Sequence, residues 1–393
     1  MNKIFKVIWS KSKQCYIVVS EIAKNKTGKK KIVVASILAA LTMTANIVTV
    51  EGAIPEGSRT DQLGLAIGTG SNSKSNQSVA IGYASSAEAP GANPENPATA
   101  VGAGANANGT GTVALGLSAN ATGANAVALG GGSNGGTNKT EATAANATAV
   151  GFNAKASNSG AAAIGSGAKA SGSDSISFGT DTAADSEKAI AIGAGSKATN
   201  ISATALGRSS AATAASATAV GSLASATGTT ATAVGMQASA SGAESLAIGK
   251  TASATSGRSL AVGTNAKATG ASAVAVGSGA GNSGPLGFAS SINSSRSVVN
   301  TLKTINYATT AEGDNAVALG FYANAKNTGV AVGQNALAAT GGVAIGKGVF
   351  EDTNNNLAGG VVIGQDSAST GIYSLAMGRN AFATGSTSMA MGY

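Results

Sequence analysis

Residues Gly263 to Gly277 read GTNAKATGASAVAVG, and the way this stretch repeats decides the fold. Its closing tripeptide, Ala-Val-Gly or a near variant, returns every fourteen residues at Gly151, Gly165, Gly179, Gly193, Gly207, Gly221, Gly235, Gly249, Gly263 and Gly277. A fixed period of this kind marks a solenoid, in which no repeat buries its own apolar face and each is stable only against its neighbours. Within the stretch, Ala266 and Ala268 alternate with Asn265, Lys267 and Thr269, the period of two that belongs to a strand with one small-apolar face and one polar face. Gly270 permits a turn, Ala273 to Val276 make a second strand apolar on both faces, and Gly277 turns the chain again. The pattern predicts an all-β parallel β-solenoid, or β-roll, of about 14-residue coils with two short strands per coil.

A strand apolar on both faces needs two covers. The expectation is that Val274 and Val276 pack inside the coil against Ala266 and Ala268, leaving Ala273 and Ala275 outward. Repeated along the chain, the outward face forms an apolar strip larger than a soluble monomer exposes, so the solenoid is expected to associate with itself. Counting some twenty-three coils, the rod is roughly 100 Å long at about 4.8 Å per coil.

Toward the N-terminus the same signal appears at Gly68, Gly82, Gly102, Gly116 and Gly130, so stacked coils of a β-roll span 61–277. Two surpluses interrupt it, near 84–97 (ASSAEAPGANPENP) and 131–145, and both read as surface loops that leave the stacking intact. Beyond Gly277 the next clear match is Gly320. Ile292-Asn293 and Ile305-Asn306 stand in for Ile-Gly there, because Asn tolerates a left-handed backbone. Residues 278–315 are therefore expected to be degenerate coils, with an insertion carrying a helix around Val298 to Ile305 as the alternative. Coils resume over 316–393 at Gly320, Gly333, Gly346, Gly364, Gly378 and Gly392.

The formal net charge of +8 is concentrated in residues 1–31, which hold nine lysines against Glu21, so the remainder is neutral. Nucleic acid is therefore not an expected partner. The basic segment runs into Ile32 to Leu41 (IVVASILAAL) and small residues near Ala45, the order of a secretory signal too short to span a membrane. Cleavage is expected after Ala45, with Ala53 as a later alternative, which makes 1–45 a leader and 46–60 a linker. Cys15 and Trp9 both lie in the leader and the chain has no His, so the exported part has no disulfide framework, no Cys/His zinc site and no His-dependent triad. No enzyme activity, cofactor or metal is expected.

Glycine pairs such as Gly165-Ser166-Gly167 lack the strand, loop and helix of a nucleotide-binding unit. Asp352 to Asn356 begins like a calcium loop, but Leu357 takes the place of the turn glycine and Ile363 that of the bidentate acid. Lys155, Lys169, Lys197 and Lys267 each follow a repeat glycine by four. They form a solvated edge that discourages strand pairing, the alternative being a basic stripe for an anionic receptor.

Two resemblances converge on one family. Met1 to Lys24 (MNKIFKVIWSKSKQCYIVVSEIAK) resembles the extended signal peptide region of large autotransporters from bacteria with an outer membrane. The repeat x-A-[IVL]-G, with N-A-x-A-x-G between, is similar to the head of YadA-type trimeric autotransporter adhesins over nearly all of 61–393. The resemblance implies a left-handed roll, three chains side by side as a homotrimer, export to the cell surface and outer membrane, and a role in virulence. It also implies attachment to extracellular-matrix protein, host cells or other bacteria. Gln77, Ser78, Val79, Ala80, Ile81, Gly82 and Ser85 resemble the family's collagen-binding element N-S-V-A-I-G-x-x-S, with Gln77 in place of Asn, and Asn125 to Ser133 matches it more loosely. The family's coiled-coil stalk and β-barrel anchor to the outer membrane are missing from the pattern, so a fragment or a truncated copy is expected. A secreted structural or ice-binding solenoid is the competing reading, on Thr-x-Thr at Thr110, Thr180 and Thr230. A β-helical acyltransferase is disfavoured by the missing hexapeptide period and general base.

Overall fold

The computed structural model describes the backbone of 5–10, 15–20, 290–292 and 298–300, and residues 64–75, 77–89, 97–132, 137–279, 308–351 and 359–392. The chain divides into two units, Met1–Ala53 and Ile54–Tyr393. In the first, Phe5–Ser10 pairs antiparallel with Cys15–Ser20. The cleavage point after Ala45 lies outside the described residues.

The second unit is the expected parallel solenoid, without a helix among its described residues. Three-residue strands, from Leu65–Ile67 to Met389–Met391, stack as a long ladder of twenty-one, and shorter strands, from Asn72–Ser73 to Phe382–Ala383, stack as a second ladder of twenty. Each strand pairs in parallel with its equivalents one coil before and one coil after: Ala261 aligns with Ala247 and Ala275, and Ala254 with Ala240 and Ala268. Twenty-one coils at about 4.8 Å make a rod of about 100 Å.

Two tight turns close each coil. Ala266 N–H donates to Gly263 O and Ala273 N–H to Gly270 O, both at 3.2 Å. Gly263 has φ +125, and the left-handed residues are Asn265 (φ 59) and Ser272 (φ 54), two beyond each turn glycine. The role expected of Gly270 is corrected accordingly: the left-handed turn falls on Ser272, and Gly270 is small because a Cβ there would meet the backbone of Gly313 in the next coil.

The strand faces are the reverse of the expectation. Ala266, Ala268, Ala273 and Ala275 are all fully buried, whereas Val274 and Val276 lie on the outward side, half-buried. The turns explain the reversal. A β-turn holds its ends within about 7 Å, so the two ladders cannot reach the about 10 Å separation that branched side chains need between sheets. Small side chains, alanine above all, fit best there. The core is accordingly alanine from end to end, joined by Val349 and Val362 beside the surplus at 352–358. Where Ser or Thr replaces an inward alanine, its hydroxyl is commonly bonded to the turn carbonyl three residues back, as in Thr112 to Gly109 (2.7 Å) and Ser259 to Ser256 (2.7 Å). That bond offsets the cost of burying the group.

Val274–Val276 pairs directly with Val317–Leu319, and Lys267–Ala268 with Thr310–Ala311. Of the two expectations for 278–315, the pairing matches an insertion between consecutive coils in place of degenerate coils, and Thr310 already belongs to the next coil. Ser290–Ile292 pairs antiparallel with Val298–Asn300, so a strand stands where the alternative put the start of a helix. The turns proposed at Asn293, Ile305 and Asn306 lie outside the described residues. The earlier surpluses narrow too: Ser86–Glu88 and Glu141–Ala142 are regular strands of the short ladder, which confines the extra residues to the segments after Glu88 and before Thr140.

Candidate interaction surfaces

The outward side of the long ladder carries two columns of side chains. The third residue of every strand is apolar without exception, through Ile67, Ile81, Val101, Leu115, Leu129, Val150 and Ile164 to Met377 and Met391. The first residue is mostly Val, Leu or Ile, with Thr at 99, 148, 204, 218 and 232. Many of these groups are well exposed in the single chain, among them Leu65 (47%), Phe178 (51%) and Leu206 (43%). The strip is broader in apolar reach than the alanine face expected from sequence, because the side chains turned outward are the large ones.

The short ladder presents a different surface. Its outward column holds Asn106, Asn120, Glu141, Lys155, Lys169, Lys197, Ser225, Ser239, Ser253 and Lys267. Asn106 Nδ2 donates to Asn120 Oδ1 at 2.8 Å across one coil step. Charges pair in the same way: Lys74 with Glu88 (3.1 Å), Lys155 with Glu141 (3.6 Å), Lys169 with Asp185 (3.0 Å), and Lys326 with Glu312. Glu141 also holds Lys139 (3.3 Å). At one turn Lys188 hydrogen-bonds Glu187 and holds its carboxyl below the usual range. Of the four lysines that follow a repeat glycine by four, Lys155 and Lys169 are thus neutralised in part. Over the last four coils the column becomes Leu337, Phe350, Ala368 and Phe382, in register. The edge after the repeat glycines carries Tyr83, Leu117, Phe152, Met236 and Phe321, all exposed. The residue directly after each repeat glycine is the sequence signal for this edge, and the fourteen-residue period alone does not single it out.

The collagen-type element is split by the fold. Ser78, Ala80 and Ser85 are fully buried; Ser78 Oγ accepts from Ala98 N–H (3.0 Å) and Ser85 Oγ donates to Gly82 O (3.0 Å). Val79 and Ile81 stand in the outward columns. Gln77 (φ 61) is exposed at one turn, and Gly82 with Tyr83 forms the other. In the looser match, Asn125 is exposed and Asn125 Nδ2 donates to Asn146 Oδ1 at 3.3 Å; Ser133 lies outside the described residues, as do Asp352 to Asn356. The Thr-x-Thr pairs do not share a surface: Thr112 and Thr182 point inward and Thr232 outward. Among the described residues no cluster of His, Cys, Asp or Glu is placed to hold a metal ion, and no helix is long and apolar enough to cross a membrane.

A parallel solenoid with an alanine core, one apolar sheet face and one polar sheet face defines the class of β-roll repeat proteins. Comparison with protein families narrows the class. The model for the extended signal peptide of the type V secretion system matches residues 1–48. The YadA head domain repeat matches in segments that include 62–92, 97–119, 142–168, 226–252, 254–280, 307–323 and 359–393, together more than half of the chain. The chain belongs to the YadA-like trimeric autotransporter adhesins, exported proteins of the cell surface and outer membrane. Matching stops at 280 and resumes at 307, which is where the ladders step over the insertion. No curated protein matches the chain.

Proposed function

We propose that this chain is the adhesive head of a homotrimer, with three copies packed side by side through the outward columns of their long ladders. The carrying observation is the third-residue column, apolar in every coil of the long ladder. A strip about 100 Å by about 10 Å offers about 1,000 Å² per chain, above the about 800 Å² per partner of a stable interface. Association leaves the short ladder, the turns and the inserted loops to meet a ligand on extracellular-matrix protein, a host cell or another bacterium. Repeated weak contacts from three chains then add up through multivalency.

Collagen is the ligand that the element at Gln77 favours. With Val79 and Ile81 covered by sister chains and Ser78, Ala80 and Ser85 buried, the contact falls to Gln77, Gly82 and the Tyr83 turn. Size-exclusion chromatography with light scattering, followed by binding to immobilised matrix proteins and to bacterial cells, tests the proposal. A trimer that binds supports it, and a stable monomer defeats it. Undiminished collagen binding after Gln77→Ala with Tyr83→Ala removes collagen recognition from this element.

A further inference from the structure

A repetitive apolar stripe has a weakness as an interface. Sliding one chain past another by one coil, about 4.8 Å, exchanges nearly every contact for an equivalent one, and flat parallel strands specify register poorly. Something on the stripe has to break the repetition. In the first-residue column Thr204, Thr218 and Thr232 occupy consecutive coils and align directly with one another. Ile190 precedes them and Leu246 follows them. These are the tenth to twelfth of the twenty-one long-ladder strands, the middle of the rod. Beside them the third-residue column stays apolar with Leu206, Val220 and Val234.

Among the described residues, none of the three hydroxyls has a hydrogen-bond partner within its own chain. Valine has the same shape and fills this column at Val274, Val317, Val330, Val343 and Val361. Packing alone therefore gives no reason for threonine here. We infer that in the assembled head the Thr204, Thr218 and Thr232 rows of neighbouring chains face one another at one axial level and fix the register of the assembly. This inference rests on the self-association proposed above.

In register, the hydroxyls of each row meet those of the next chain, directly or through a bridging water. A slip by one coil sets a terminal hydroxyl against Ile190 or Leu246, and a buried hydroxyl without a partner is costly. Every larger slip strands more of them. The device is the sheet counterpart of the single polar residue that aligns a coiled-coil seam while adding little stability.

Self-sorting tests it. The full chain and its triple variant Thr204→Val, Thr218→Val, Thr232→Val carry tags of different mass, are refolded together in equal amounts, and are read by native mass spectrometry. Each is expected to form trimers alone, since valine fits the column. Random mixing makes about three quarters of trimers mixed, whereas facing rows make mixed trimers about tenfold rarer, because hydroxyls then face methyl groups. The isolated variant Thr99→Val is expected to mix freely with the parent chain. Statistical mixing of the triple variant overturns the inference, and so does equal sorting by Thr99→Val. A parent chain that stays monomeric overturns the self-association reading itself, independently of the threonines.

Discussion

Thr140 Oγ1 donates a hydrogen bond to the carbonyl of Gly151 at 2.6 Å, and Thr309 Oγ1 repeats it to Gly320 at 2.7 Å. These threonines are the first inward residues after the two surpluses that follow a repeat glycine, at Gly130 and Gly277. In a regular coil that inward residue closes the turn with its backbone, as Ala154 N–H does to Gly151 O at 3.2 Å. An intervening loop removes that closure, and the hydroxyl ties the re-entering strand to the next coil instead. Thr309→Val is expected to cost about 1–2 kcal/mol, while Thr309→Ser stays near the parent. Urea unfolding gives the magnitude, and faster amide exchange confined to the coils beside Thr310 and Val317 locates it.

Gly235 has φ +130, and a Cβ on it would lie 2.6 Å from the carbonyl oxygen of Gly249 in the next coil. Gly235→Ala combines backbone strain with a collision against backbone, and a loss of about 3 kcal/mol is expected. Thr230 is also left-handed, at φ 54, but points into solvent. Thr230→Gly relieves a β-branched residue of that conformation, so neutrality or a gain of up to about 1 kcal/mol is expected. Opposite signs at the two turns that flank the strand Thr232–Val234, read by thermal denaturation, check the assignment of the two glycine-type positions.

The period, the two ladders and the repeat glycines were legible because each coil repeats the same bonds, so one reading of Gly263 to Gly277 serves for the rest. The direction of the strand faces was not. Alternation separates Ala275 from Val276 but does not say which is inside, and hydrophobicity alone favours valine. Turn tightness decides otherwise, and it follows from Gly263–Ala266 and Gly270–Ala273 closures that a one-dimensional pattern does not display. Ile292-Asn293 is ambiguous for a related reason: Asn fits a left-handed turn equally well in a coil or in a loop, and only the antiparallel pairing of Ile292 with Val298 is described. The collagen-type element was visible as a string, whereas the burial of Ser78 and Ser85 depends on which face the string turns inward.

That choice of face predicts a sharp contrast between neighbours. Ala219 is fully buried at the centre of its strand, and Val220 beside it looks outward. Ala219→Leu forces a larger branched side chain into a stretch of core filled by Ala205, Ala212, Ala226 and Ala233, and a loss of about 3 kcal/mol or local uncoiling is expected. Val220→Leu leaves the coil intact, with a change within about 0.5 kcal/mol in the stability of the single chain. Circular dichroism and denaturant midpoints distinguish the two, and equal losses at both positions would contradict the alanine core.

The same geometry separates folding from association. Val262 and Val276 are third-residue neighbours in register on the long ladder, outward and half-buried. Lysine at either position extends into water in a free chain, so Val262→Lys with Val276→Lys should leave the coils folded. In the proposed homotrimer the ammonium groups of adjacent chains would be brought together in an apolar seam, where desolvation and like-charge repulsion oppose contact. Light scattering is expected to show a shift toward monomer, with unchanged far-ultraviolet circular dichroism. Lysine on the other ladder, at Ser239 and Ser253, is the matched control; its column already carries Lys155, Lys169, Lys197 and Lys267, so assembly should survive it. Dissociation by the short-ladder pair and not by the long-ladder pair would place the self-association face on the wrong side of the solenoid.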